Sequence, residues 1–183
     1  MKWNCKTKHC LVISILLVFT NMVSAQNTDS FPVPAGNPNQ LFFLQRTPNI
    51  NTIVYELNYK NGALDSANPV HVFWIRYAEK AQKTELNYIQ RNLAYGLRVK
   101  FLSTDNYELR FVADKDAVLY LKKAKDNKYY VYTTINNKQA ILYSVYLEIA
   151  GGTFLVPNVD YAELKGFDPD NGVAVSERIK IKK

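Results

Sequence analysis

With 183 residues, 23 Lys and Arg against 16 Asp and Glu (formal charge +7) and 48% hydrophobic residues, the chain is sized for about one domain with a buried core. Its basic residues cluster only at Lys122, Lys123, Lys125 and at Lys180, Lys182, Lys183, not in the concentrated stripe of a nucleic-acid binder, so nucleic acid is not expected as a partner. Both cysteines, Cys5 and Cys10, lie in the first ten residues, which leaves the rest of the chain without disulfides or thiol chemistry.

The chain opens with Lys2, Lys6 and Lys8, an apolar run over residues 11–19, and the small-residue site Val23-Ser24-Ala25. This is the pattern of a secretory signal peptide, residues 1–25, too short in its apolar part for the ~20 residues of a bilayer span. Both cysteines precede the apolar run, so no lipid-attachment cysteine follows it. Cleavage after Ala25 removes 25 of the 183 residues and leaves 158; the three lysines lost take the charge from +7 to about +4. The expected location is periplasmic or extracellular, with no transmembrane segment after cleavage.

Residues 26–40 contain Pro32, Pro34 and Pro38 and predict an extended arm in which only Phe31 and Val33 offer apolar surface. The domain then spans 41–183. Residues 41–44 are a continuous apolar run, 51–59 alternate, and Asn61-Gly62 marks a turn. Residues 69–77 place Val70, Val72, Trp74 and Arg76 on one face and His71, Phe73, Ile75 and Tyr77 on the other, which predicts a central strand covered on both sides.

A short α-helix is expected next, with Thr84 as N-cap and Gly96 as a left-handed stop. On a helical wheel Leu86, Ile89 and Leu93 form the buried stripe, while Tyr88, Arg91, Asn92 and Tyr95 gather on the opposite side. Beyond it, residues 107–113, 117–123, 128–134, 138–149, 159–167 and 173–181 read as an antiparallel meander, with Asn136-Asn137 as the clearest hairpin. The fold class that follows is mainly β: an antiparallel β-sandwich (alternatively a barrel) of about nine strands with one short α-helix.

Catalytic motifs are absent. The sequence has no nucleophile elbow, P-loop, dinucleotide fingerprint, HExxH or CxxC. His71, the only histidine beyond the leader, reads as structural, and one histidine without cysteine suits zinc poorly. Asp168-x-Asp170-x-Gly172 resembles the start of a calcium loop but carries Gly172 at the fifth position and Ile179 at the twelfth, so it reads as a plain turn. No catalytic residue, metal ligand or cofactor is assigned. The candidate binding residues are Trp74, Arg76, Tyr88, Arg91 and Tyr95, amphipathic aromatics beside arginines, the combination that dominates binding surfaces. Arg76 must be paired or line an opening, with Glu79 and Glu85 as the nearest acids.

The runs LFFLQRTPNINTIVYELNY, PVHVFWIRYAEKAQ, ELNYIQRNLAYGL, INNKQAIL, YAELKGFD and SERIKI resemble the DUF4833 family of exported proteins common in Bacteroidetes, over about residues 31–180. The resemblance implies a single domain in an envelope or extracellular setting and lends no catalytic residues. The expected function is a non-enzymatic envelope domain binding a glycan, peptide or lipid headgroup. The alternatives are a hydrolase of envelope polymers working through paired carboxylates, and a structural assembly partner marked by a large exposed apolar patch.

Overall fold

The computed structural model describes residues 31–153 and 156–181; the expected signal peptide lies outside them. The strands are β1 (Gln40–Arg46), β2 (Asn49–Leu57), β3 (Tyr59–Lys60), β4 (Ala63–Leu64), β5 (Val70–Arg76), β6 (Gln82–Glu85), β7 (Leu97–Ser103), β8 (Asn106–Phe111), β9 (Val118–Lys123), β10 (Tyr129–Ile135), β11 (Lys138–Gly152), β12 (Pro157–Phe167) and β13 (Ala174–Lys180). A 3₁₀ turn, Tyr77–Glu79, follows β5, and a π-helical turn, Gln90–Ala94, precedes β7. Asn61-Gly62 and Asn136-Asn137 adopt positive φ in the hairpin turns where the sequence places them.

The sandwich is corrected to a single sheet. Eleven strands form one continuous hydrogen-bonded surface, in the order β6-β5-β2-β1-β11-β10-β9-β8-β7 with β12 and β13 beyond β11, and only β3 and β4 stand apart. The physical reason lies in β11. Its residue Ile141 pairs with Tyr132 of β10 and Phe167 of β12, whereas Ser144 pairs with Phe43 of β1 and Lys165 of β12. One edge of this 15-residue strand therefore serves two neighbours end to end, and a bulge between Leu142 and Ser144 bends it where they change over. The sheet splits there into two arms that curl toward each other as an open half-barrel. The pairing of β1 with β11 is parallel, the exception in an otherwise antiparallel sheet.

The core lies between the arms. Phe42, Leu44, Ile53, Tyr55, Val72 and Trp74 of the first arm meet Leu109, Leu119, Leu121, Val131 and Leu142 of the second. Phe42 and Tyr55 stack at 4.2 Å, and Phe111 meets both edge-on from across the core. The half-barrel does not close: β6 and β7 are the two ends of the strand order, and residues 86–96 connect them.

The outer face of the first arm is covered. Phe43, Val54 and Phe73 form a second buried cluster there. Across it runs the N-terminal segment, where Phe31 packs edge-on to Tyr146 at 5.5 Å, Pro34 is buried, and the Pro32 carbonyl accepts from Gln45 Nε2 at 2.9 Å. The described part of the expected arm, from Phe31 onward, is docked.

Candidate functional site

Residues 86–96 do not follow the predicted wheel. Thr84 belongs to β6, opposite Trp74. The cap is Asn87, whose N–H donates to Gln90 Oε1 at 3.0 Å while its Oδ1 accepts from Gln90 N–H at 2.9 Å, a reciprocal cap. A start three residues late leaves room for one turn, and that turn closes through Tyr95 N–H to Gln90 O at 2.8 Å, a π bond spanning five residues.

The wider turn reassigns the faces. Leu86 and Tyr95 are buried, while Ile89, Leu93 and Tyr88 (81% exposed) face solvent. Gly96 is no left-handed stop; it permits close approach, because a Cβ there would stand 1.9 Å from the Arg91 carbonyl oxygen.

The five expected binding residues therefore divide. Trp74 and Tyr95 meet edge-to-face in the core at 5.1 Å, and the Tyr95 carbonyl accepts from the buried Tyr55 hydroxyl at 2.8 Å. Burial raises the Tyr95 phenol above its ordinary pKa, and the neighbouring Arg46 charge offsets part of the rise. Arg76 pairs with Glu79 across the 3₁₀ turn. Arg91 reaches Glu85 at 3.5 Å, and Tyr88 stands alone on the surface.

His71, expected to be structural, is held between two acids. Its Nδ1 lies 3.0 Å from Glu56 and its Nε2 3.0 Å from Glu85, on the covered outer face of the first arm. Lys83 adds an ion pair to Glu56 at 3.0 Å, and Asn37 of the N-terminal segment donates to the same carboxylate at 3.2 Å. Burial opposes ionisation of Glu56, but the hydrogen bonds from His71 and Lys83 prevail and hold it below its ordinary pKa. The imidazole fills the space between the two acids that a water or sugar would need in a glycosidase. Among the described residues no cluster of three His, Cys, Asp or Glu could hold a metal. In the 168–172 turn, Asp168 Oδ1 accepts from the backbone of Asp170 and Asn171.

Sequence reasoning missed the outer face of the second arm. The registers align Lys100, Glu108, Tyr120, Tyr132, Ile141 and Phe167 in one row across six strands, with Lys122 and Tyr130 in the next. Its tyrosines, Tyr120, Tyr130 and Tyr132, are half-buried. Lys122 Nζ lies 5.0 Å from the Tyr120 ring, and Tyr130 meets Tyr132 edge-on. Tyr130 donates to Asp126 at 2.7 Å, a bond that raises the phenol and lowers the carboxylate. Arg98, Lys100, Arg110 and Lys122 outnumber Glu108 on this face. The signal was present: Tyr120 and Lys122, then Tyr130 and Tyr132, alternate with the buried Leu119, Leu121 and Val131.

Among the described residues, a cleft of about 340 Å³ lies beside Tyr143 and Phe167 and another of about 180 Å³ beside Tyr59 and Tyr129, and no carboxylate lines either of them. No helix of the described residues is long and apolar enough to cross a membrane.

The family profile described as a domain of unknown function, DUF4833, matches residues 42–178. The chain belongs to the DUF4833 family. The matched stretch of this DUF4833 chain begins and ends within β1 and β13, so it takes in both arms of the half-barrel. No curated protein and no solved structure matches the chain.

Proposed function

We propose that this DUF4833 chain is an exported interaction domain that docks an anionic polysaccharide on the outer face of its second arm. The observation that carries the reading is the contrast between the arms: one outer face is sealed by the N-terminal segment, and the other presents tyrosines and uncommitted cations to solvent. Tyrosine rings stack on the C–H faces of sugars, and the lysines supply the charge that carboxylated or sulfated sugars require. Lysine is depleted from protein interfaces, which favours a glycan over a protein on this row.

The test is affinity electrophoresis through gels containing polygalacturonate or neutral dextran. Retardation by polygalacturonate alone, lost in Tyr120→Ala/Tyr132→Ala with an unchanged unfolding midpoint, is expected. Equal retardation by dextran, or none by either, refutes the reading. Export is part of the same proposal, and a mature N-terminus at Gln26, read by mass spectrometry of secreted material, is its check.

A second reading, an assembly partner for another protein, rests on Tyr143, Phe167 and Val173, exposed together beside β13. Among the described residues that strand pairs with β12 and no strand lies on its other edge, which suits an added strand. Under this reading Val173→Lys abolishes complex formation and leaves polygalacturonate binding intact.

A further inference from the structure

At one end of the half-barrel β1 and β10 begin and β2 and β9 end, and a cleft of about 180 Å³ opens there. Asn39, Gln40 and Tyr59 line it from the side of the first arm, and Asn127, Lys128 and Tyr129 from the second. No single element supplies the cleft, so it exists only once the arms have met.

Both sides are held in place. The Asn39 N–H donates to Asn37 Oδ1 at 2.9 Å, and the Asn39 carbonyl accepts from the Leu57 N–H at 2.8 Å. Asn127 sits in the β9–β10 turn at φ 64°, a left-handed position that asparagine tolerates, and its N–H donates to the Ala124 carbonyl at 3.0 Å. Tyr129 is fixed through its hydroxyl, which donates to Asp105 of the β7–β8 turn. The side-chain amides of Asn39, Gln40 and Asn127, by contrast, have no hydrogen-bond partner among the described residues.

Three uncommitted amides are specific in kind. Each offers a donor and an acceptor side by side, as a sugar hydroxyl does, whereas an anion needs donors alone and an apolar ligand needs neither. The tyrosines add ring surface of the sort that stacks on the C–H faces of sugars. Charge at the rim is balanced: Lys128 is set against Asp126, and Lys123 lies 3.8 Å from Asp105. At about 180 Å³ the cleft falls below the roughly 300–1,000 Å³ of sites for drug-sized ligands, a size that suits one ring.

We propose that this cleft binds one neutral hexose ring, either a free monosaccharide or the terminal unit of a glycan. Tyr120 and Tyr132 do not line it, so it stands or falls apart from the polysaccharide face.

Proton–nitrogen correlation spectra of the full chain follow the side-chain amide resonances of Asn39, Gln40 and Asn127. The probes are methyl β-galactoside, methyl β-glucoside, lactose, cellobiose, galacturonate and sulfate, titrated at constant ionic strength. Saturable shifts of these resonances with a methyl hexoside, and none with sulfate, are expected. An equal response to the disaccharide ending in the same sugar assigns a glycan end, and no response to it assigns a free monosaccharide. Asn39→Ala/Asn127→Gly, in which glycine keeps the left-handed turn, should weaken binding about tenfold at an unchanged unfolding midpoint. Tyr59→Ala, at a residue 46% exposed, should weaken it without touching either turn. Tyr120→Ala/Tyr132→Ala, which removes polygalacturonate retardation, leaves hexoside binding unchanged. Absence of a saturable shift with every neutral sugar overturns the assignment, as does a stronger response to galacturonate or sulfate than to the hexosides. Binding that survives Asn39→Ala/Asn127→Gly in a folded protein overturns it too.

Discussion

Replacing Tyr88 and Tyr95 separately by serine tests the reassigned faces of residues 86–96 most sharply. Both lay on the outer side of the predicted wheel, so sequence reasoning expects neither change to disturb folding. The structure separates them. Tyr95 is 7% exposed and edge-on to Trp74 at 5.1 Å, and its loss combines cavity formation with a broken aromatic pair. Truncating a buried aromatic costs about 3–5 kcal/mol, of which the pair geometry accounts for roughly 0.5–1.5. Tyr88, 81% exposed, should cost less than about 0.5 kcal/mol. For a domain of this size each kcal/mol moves the midpoint by about 2–4 °C, so Tyr95→Ser should fall by about 6–20 °C and Tyr88→Ser by no more than about 2 °C. Thermal unfolding followed by circular dichroism, with urea titration to obtain the free energies, measures both. Equal shifts, or a Tyr95→Ser midpoint within 2 °C of the parent, would refute the placement of the π turn.

Other expectations follow from the same geometry. Glu56 ionises below its ordinary value in the folded chain, so its contribution is present above the unfolded value of about 4.3 and is lost as pH falls through the lower folded value. Glu56→Gln should flatten the acid limb of a stability-against-pH curve in that window, and an unchanged limb would contradict the network. Tyr146, raised to about 12 by burial and by its hydrogen bond to Glu148, contributes stability that is full below pH 10 and lost as pH rises toward 12. Tyr146→Phe should remove its step from the alkaline absorbance titration. Gly96→Ala, whose Cβ meets the Arg91 carbonyl, should cost about 1–3 kcal/mol in urea unfolding. Removing residues 31–36 should expose the Phe43, Val54 and Phe73 cluster and lower the midpoint by several degrees, with increased binding of a hydrophobic dye as the check.

Local order and its punctuation were legible in the sequence because they depend on neighbours along the chain. Alternation placed the long strands, Asn-Gly and Asn-Asn placed two hairpin turns, and the two-sided apolar pattern of residues 69–77 announced a strand buried on both faces, as Val72, Phe73 and Trp74 of β5 are, although β5 is next to the end of the sheet rather than central. The turn at residues 168–172 was readable for the same reason. β6 was not: Gln82–Glu85 carries no apolar signal, and its partner on β5 makes it a strand. The short helix itself was legible, but its faces were not, because a wheel assumes a period. Asn87 took the cap from Thr84, a π bond widened the turn, and Tyr95 rotated into the core while Leu93 rotated out.

The architecture lay further beyond local reading. No pattern within β11 states that one edge will serve both β10 and β1, yet that sharing turns two expected sheets into one curled sheet with two arms. The composition therefore determined a β-rich domain with its core and its turns. Pairing over a hundred residues of chain decided which outer face is sealed and which is open, and it brought Asn39 and Asn127 to the two sides of one cleft. Such contacts are set by register between distant strands, and register is a property of the folded sheet.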